Sequence, residues 1–156
     1  KLLNIPLMCC HTPADNHVAR YLQKSVDSKR PKTLQQIINL LMREPEYRDS
    51  AALKAGPEIL IGKASDKAGR IFVDMTGGTE GSKDIFGRLS QLGIQTLLGM
   101  HYSQAHFDKI RTEHIHVVNA GHIASDNLGM NLILDRLARK GTLDIVSCSG
   151  FRRVKR

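Results

Sequence analysis

Short apolar runs of strand length alternate along this chain with segments whose apolar residues recur at helical spacing. The helical spacing predicts helices over residues 14–29, 34–42, 46–54, 82–92, 103–112 and 123–140. The apolar runs predict strands over residues 2–10, 58–62, 70–75, 95–100, 115–119 and 143–148. Because the two kinds of segment alternate regularly from residue 71 onward, we predict an α/β fold, a layered sheet flanked by helices.

A polar link at residues 63–69 joins two of the predicted strands and is long enough to form a hairpin. A hairpin pairs its strands antiparallel, whereas strands joined through helices are parallel. We therefore expect a mixed sheet. A length of 156 residues with 41% hydrophobic and 24% charged residues is typical of one soluble globular domain, here residues 1–156.

Other features of the chain bear on where the protein works. No apolar run approaches the roughly 18 residues that a membrane span needs, and none resembles a signal peptide. The three cysteines form no CxxC pair, so we expect Cys9, Cys10 and Cys148 to be buried strand residues in a reducing compartment, the cytoplasm. The chain begins with Lys1 rather than methionine, and we expect an N-terminal portion to be missing.

The formal net charge of +8 raises the question of a nucleic-acid partner. The cations are spread along the chain, and aromatic residues make up only 4% of it, which leaves few groups to stack on single strands. The densest basic cluster is the tail 151–156, with four cations in six residues. We expect these charges to form a solvated surface and give nucleic-acid binding less weight.

Two histidines are each followed four residues later by a carboxylate: His11 by Asp15, and His122 by Asp126. Each histidine follows a predicted strand, and the four-residue spacing places both side chains of a pair on one helix face. Imidazole and carboxylate groups suit zinc, manganese, iron and other divalent ions. The two pairs can therefore supply four ligands to one centre if the fold brings the strand ends together. The alternative is that they only cap their helices.

A glycine-rich loop at residues 75–83 joins a predicted strand to a helix. It can present backbone N–H groups to a phosphate, or it can be a simple tight turn. It matches neither the Walker A nor the dinucleotide-binding pattern. The residues expected to contact a phosphate are Gly77, Gly78, Thr79 and Ser82.

His101 stands at the predicted C-terminal end of a strand, in the sequence Leu98-Gly-Met-His101. In open α/β sheets, ligands bind at this edge. Three roles remain open for His101: a further metal ligand, a proton shuttle, or an exposed residue at the start of a helix.

Together, these motifs resemble the NIF-three-like proteins, also called GTP cyclohydrolase type-2 homologues. The resemblance rests on His-Thr-Pro-x-Asp at 11–15, Gly-Gly-Thr-x-Gly at 77–81, Leu-Gly-Met-His at 98–101 and Ala-Gly-His-x-x-x-acid at 120–126, all in family order. It implies an α/β fold with a dinuclear metal centre and homo-oligomers assembled as rings, often hexamers. It also implies that Asp15, His122 and Asp126 are metal ligands and that His11 lies at or beside the centre.

The chain departs from the family pattern in two places. The family has glutamate where this chain has Asp126, which is one methylene shorter. The family also has an adjacent His-His pair upstream, and this chain has no His-His dipeptide. The second departure agrees with a missing N-terminal portion, and without that pair the centre would be incomplete: mononuclear, weak or empty. We expect one or two divalent ions, zinc, manganese or iron.

Two functions follow from these observations. The first is a metal-dependent hydrolase that acts on C–N or phosphoester bonds of a small molecule such as a nucleotide. In it, His11 and His101 are the candidate acids or bases, and the glycine-rich loop holds phosphate. The second is a non-catalytic, ring-forming scaffold or regulatory protein that binds partners or polyanions.

Overall fold

A four-stranded sheet lies at the centre of the computed structural model, which describes residues 9–77 and 81–156. The strands are β1 (Glu58–Ile61), β2 (Arg70–Asp74), β3 (Ile94–Gly99) and β4 (His116–Asn119), in the spatial order β1-β4-β3-β2. β2 and β4 both run parallel to β3, whereas β1 runs antiparallel to β4. The prediction of an α/β fold with a mixed sheet is therefore confirmed.

The expected hairpin between β1 and β2 is wrong, because these strands occupy opposite edges of the sheet. The link 63–69 folds instead onto the start of helix α2 (Leu34–Leu41). There the backbone N–H of Leu34 donates to Asp66 O, and that of Gln35 donates to Ala64 O. The first backbone N–H groups of a helix have no acceptor inside the helix, and the carbonyl groups of the link accept hydrogen bonds from them. The link is thus held against α2 rather than in a turn between paired strands.

The remaining helices of the described ranges are α1 (His11–Lys29), α3 (Pro45–Ala52), α4 (Ile85–Gln91), α5 (Gln104–Thr112) and α6 (His122–Ala138). Thr33 caps the start of α2, since its side chain accepts a hydrogen bond from Gln36 N at 3.3 Å. The Gln36 side chain reaches back to the backbone N–H of Lys32 at 2.7 Å. No helix within the described part of the chain has the length and apolar character needed to cross a membrane.

Each face of the sheet carries its own hydrophobic core. Successive residues of a strand point to opposite faces, so Leu98 and Val118 join a core with α1 and α2, while Leu97 and Val117 join one with Phe86 and other residues. The burial of both faces of β3 and β4 explains why these two central strands read as apolar runs, whereas exposed and less exposed residues alternate in the edge strands β1 and β2.

Helices α1 and α6 lie side by side and run in the same direction. Their residues meet in the same order along both helices: the rings of His11 and His122 lie 6.2 Å apart, Gly129 packs on the Ala14 backbone, and Arg136 donates to His17. A β-carbon at Gly129 would lie 2.5 Å from Ala14 O, so the absent side chain lets the two backbones approach closely. Both helices therefore begin at one end of the sheet.

One predicted strand is absent from the structure, and another falls mostly outside the described residues. Residues 143–148 form no strand, and Val146 is 84% exposed there. At the other end, residues 1–8 lie outside the described residues, and Cys9 and Cys10 belong to no strand. The expectation of buried strand cysteines is wrong for Cys9 and Cys148, which are both exposed.

The basic tail is not the solvated surface that its composition suggests. Arg156 contacts Glu44 at 2.9 Å and Glu46 at 2.6 Å, which holds the tail against the start of α3. Arg153 contacts Asp135 on α6 at 2.5 Å, and Arg152 contacts Asp49 on α3 at 2.7 Å. The tail is thus held by ion pairs against α3 and α6, away from the sheet.

Candidate metal site

The first turns of α1 and α6 bring two histidines together. His11 is the first residue of α1, and His122 is the first residue of α6. The backbone before α6 turns at Gly121, whose φ of +93° is one that glycine adopts readily and other residues rarely do. Nitrogen atoms of His11 and His122 and a carboxylate oxygen of Asp126 lie within 4.8 Å of one another, so this trio could hold a metal ion.

Both predicted histidine–carboxylate pairs are present as side-chain contacts. His11 Nδ1 lies 3.2 Å from Asp15 Oδ2, and His122 Nε2 lies 3.6 Å from Asp126 Oδ2. Asp15 is not a member of the trio; its Oδ2 instead accepts a hydrogen bond from the backbone N–H of Gly77 at 3.2 Å. Asp15 thus links the start of α1 to the glycine-rich loop, at the edge of the trio.

The carboxylates of this site carry unsatisfied oxygen atoms. Oδ1 of Asp15 and Oδ1 of Asp126 are buried without a hydrogen-bond partner among residues 9–77 and 81–156. Burial raises the pKa of Asp126, and the neighbouring His122 and His11 oppose that rise only in part. Buried polar atoms usually have partners, and a cation is the partner that a carboxylate between two imidazoles lacks. The side chains therefore fit a divalent ion.

The glycine-rich loop approaches the trio at Gly77. A β-carbon at Gly77 would lie 2.9 Å from His122 Nε2, 2.8 Å from Met100 Cε and 3.1 Å from His11 Cε1. A residue with a side chain would therefore displace the imidazoles, and glycine keeps the space beside them open. Gly78 and Thr79, which the sequence also predicts to bind phosphate, lie outside the described residues.

A cavity of about 430 Å³ lies on the other side of the loop. His101 and Ser82, both predicted site residues, line it together with Asp74 at the end of β2. The His101 ring lies 5.9 Å from the His122 ring, so His101 stands between the cavity and the candidate metal ligands. The predicted site residues that the structure describes are thus gathered at one end of the sheet.

The sequence interpretation missed the part that His106 plays at this cavity. His106 Nε2 makes a hydrogen bond with Gly81 O at 2.9 Å, and its Nδ1 makes one with Ser103 Oγ at 2.8 Å. These bonds tie the glycine-rich loop to α5. The sequence contains no signal for them, because the spacing of His106 from the loop has no helical or strand relation to it.

Solved structures resemble this arrangement of helices and strands. A NIF3 superfamily protein from Sphaerobacter thermophilus aligns at 25% identity with a TM-score of 0.63, over 82% of this chain and 46% of that one. This chain has a NIF3-like fold. Reduced HcgD from Methanocaldococcus jannaschii aligns at 12% identity with a TM-score of 0.51, over 70% of this chain and 40% of that one.

The NIF3-like fold confirms the resemblance drawn from the sequence motifs. No protein-family model matches the chain, and no curated protein matches it either. The chain spans less than half the length of each of the two solved proteins. The likeness therefore identifies the architecture, and the chemistry has to be argued from the side chains.

Proposed function

We propose that this chain binds a divalent metal ion through His11, His122 and Asp126 and acts as a metal-dependent hydrolase. The observation that carries the proposal is the convergence of their ligand atoms within 4.8 Å, from two helices far apart in the sequence. Two imidazoles and one carboxylate are a donor set used by zinc and iron enzymes, and manganese accepts the same atoms. The metal is thus proposed to be zinc, manganese or iron.

A divalent ion in this position would polarise a carbonyl or phosphoryl oxygen and make a bound water more acidic. Asp15 contacts His11 Nδ1, so it fixes the orientation of that ring, as carboxylates beside metal-binding histidines do. The free Oδ1 of Asp15 is the atom through which it could also become a ligand, as the sequence resemblance implies. Direct ligation by Asp15 stays a prediction.

We assign His101 the role of proton donor to the leaving group. It lines the 430 Å³ cavity, and its ring lies 5.9 Å from the ring of His122, a proposed metal ligand. Imidazole is the side chain that most often carries out this step in enzymes. The glycine-rich loop, with Ser82 in the cavity wall, is the proposed holder of a phosphate. The substrate class is then a nucleotide or another phosphoester, or a compound with a labile C–N bond.

Metal binding is tested by dialysing the protein against Zn²⁺, Mn²⁺ or Fe²⁺ and measuring the bound metal by mass spectrometry. We expect His122→Ala and Asp126→Asn to weaken binding by about tenfold or more. His116→Ala is the matched control, because His116 Nε2 also lies close to a carboxylate, 3.7 Å from Asp66, but outside the trio. Equal metal content in His122→Ala and His116→Ala would refute the site.

Hydrolysis is tested separately, with the metal-loaded protein on GTP, phosphomonoesters and phosphodiesters. We expect His101→Ala to lower kcat by about a hundredfold or more while leaving the metal content unchanged. A loaded protein that turns over none of these substrates would favour the other function that the sequence leaves open, a scaffold that binds metal without catalysis.

A further inference from the structure

A second cleft lies along the α1–α6 contact, on residues that follow the metal-binding turns. It has a volume of about 540 Å³ and borders both helices. Its cationic lining consists of Arg20 and Lys24 from α1, Arg136 and Arg139 from the end of α6, and Arg156 from the tail. Among the residues that the structure describes, Asp135 is the one acidic residue of the lining. We call this the basic cleft.

The acids near the basic cleft already have ion-pair partners, and one of these partners, Arg156, is itself a cation of the cleft lining. Asp135 contacts Arg153 at 2.5 Å, and Glu44 contacts Arg156 at 2.9 Å. Within residues 9–77 and 81–156, no ion pair joins Arg20, Lys24, Arg136 or Arg139 to an acid. These four cations therefore leave an uncompensated positive field in one concave space.

Arg136 makes a hydrogen bond with a histidine of the cleft rather than with an acid. Its guanidinium Nη1 lies 3.0 Å from His17 Nε2, and because a guanidinium can only donate, the imidazole must accept and be neutral there. Arg20 and Lys24 are one helical turn apart, a spacing at which like charges destabilise a helix. An anion bound between the helices would relieve this repulsion.

We propose that the basic cleft binds a small oligophosphate, recognised through its phosphates alone. Arginine forks and a lysine ammonium are the donors that bind phosphate oxygens best. A cleft of this volume is of the size that holds small ligands rather than a polymer. Tyr21 in the lining donates its hydroxyl hydrogen to Glu44, and the Arg156 guanidinium lies over one face of its ring, 5.9 Å from the centroid, so that face is not open to a base.

The test is titration calorimetry with inorganic triphosphate. We expect the double variant Arg20→Gln/Arg136→Gln to bind about tenfold more weakly or worse, and binding to weaken as salt is added. The matched control is Lys63→Gln/Arg88→Gln, which removes the same charge from exposed residues outside the cleft. Equal losses in both double variants would mean that only net charge matters, and the proposal would fail.

Further binding measurements distinguish the basic cleft from the candidate metal site and from a nucleic-acid surface. His122→Ala must keep its affinity for triphosphate, since loss there would assign the binding to the metal site instead. ATP must bind with an affinity close to that of triphosphate, because the proposed site recognises the phosphates and makes no specific contact with the base. Single-stranded DNA of 20 nucleotides, added as a competitor, must not bind about tenfold or more tightly than triphosphate; if it does, the face is a nucleic-acid surface and the proposal is wrong.

Discussion

Gly77 faces His122 so closely that a β-carbon on the glycine would lie 2.9 Å from the imidazole Nε2. The loop and the first turn of α6 thus pack closely because residue 77 has no side chain. The same glycine donates its N–H to Asp15, so it contacts the first turns of both helices.

Gly77→Ala should weaken metal binding by about tenfold, because the added methyl group displaces ligands whose orientation the loop supports. Metal titration followed by calorimetry measures this change. Gly81→Ala in the same loop is the control, since a β-carbon there meets nothing within 4 Å. Similar affinities for the two variants would show that the loop does not shape the site.

Gly129→Ala should destabilise the protein by about 1–3 kcal/mol, although alanine normally favours a helix over glycine. The reversal is expected because the new β-carbon would lie 2.5 Å from the Ala14 backbone oxygen and push α1 from α6. Urea unfolding gives the change in free energy. Gly141→Ala, where a β-carbon has open space, should leave it nearly unchanged. A stabilising Gly129→Ala would contradict the close packing of the helices.

Glu46→Gln should destabilise the protein by about 1.5–3 kcal/mol, since Glu46 is almost fully buried and accepts charged hydrogen bonds from Arg156. Asp49→Asn breaks a half-exposed pair with Arg152 and should cost less than about 1 kcal/mol. Urea unfolding at neutral pH compares the two variants. Equal losses of unfolding free energy in the two variants would show that the buried contact between Glu46 and Arg156 does not hold the tail.

The stabilisation by Glu46 should also depend on pH. Burial raises the pKa of Glu46, but the hydrogen bonds from Arg156 and Asn131 outweigh it and hold the pKa below the ordinary value of 4.5. A carboxyl whose pKa is lower in the folded state stabilises the fold above its unfolded pKa, and this is lost as pH falls through the folded pKa. The difference in unfolding free energy between the wild type and Glu46→Gln should therefore be constant at neutral pH and shrink below about pH 4. A difference that stays constant into acid would disprove the lowered pKa.

The local geometry of the site follows from the sequence. His11 with Asp15 and His122 with Asp126 are each set by helical spacing, so their contacts could be predicted without the fold. The meeting of the two pairs could not, because it depends on the packing of α1 against α6 through Gly129. His11 is the residue of α1 that belongs to the trio.

The errors of the sequence interpretation arise where distant contacts override local pattern. Residues 143–148 have the apolar content of a strand, yet the tail that follows is held by Arg153 and Arg156 on acids of α6 and α3. In the same way, the link between β1 and β2 gives its carbonyls to the amides of α2. Neither preference can be read from the segment alone, since its partners lie far along the chain.

The side-by-side start of α1 and α6 has a consequence for folding. An ion bound by both His11 and His122 would be a reversible cross-link between two residues far apart in the sequence. A ligand that binds only the native state increases the stability of that state. Loss of the ion would then loosen both helix starts at once. Removal of the ion by a chelator would then lower the temperature at which the loaded protein unfolds, because metal binding and folding would be coupled.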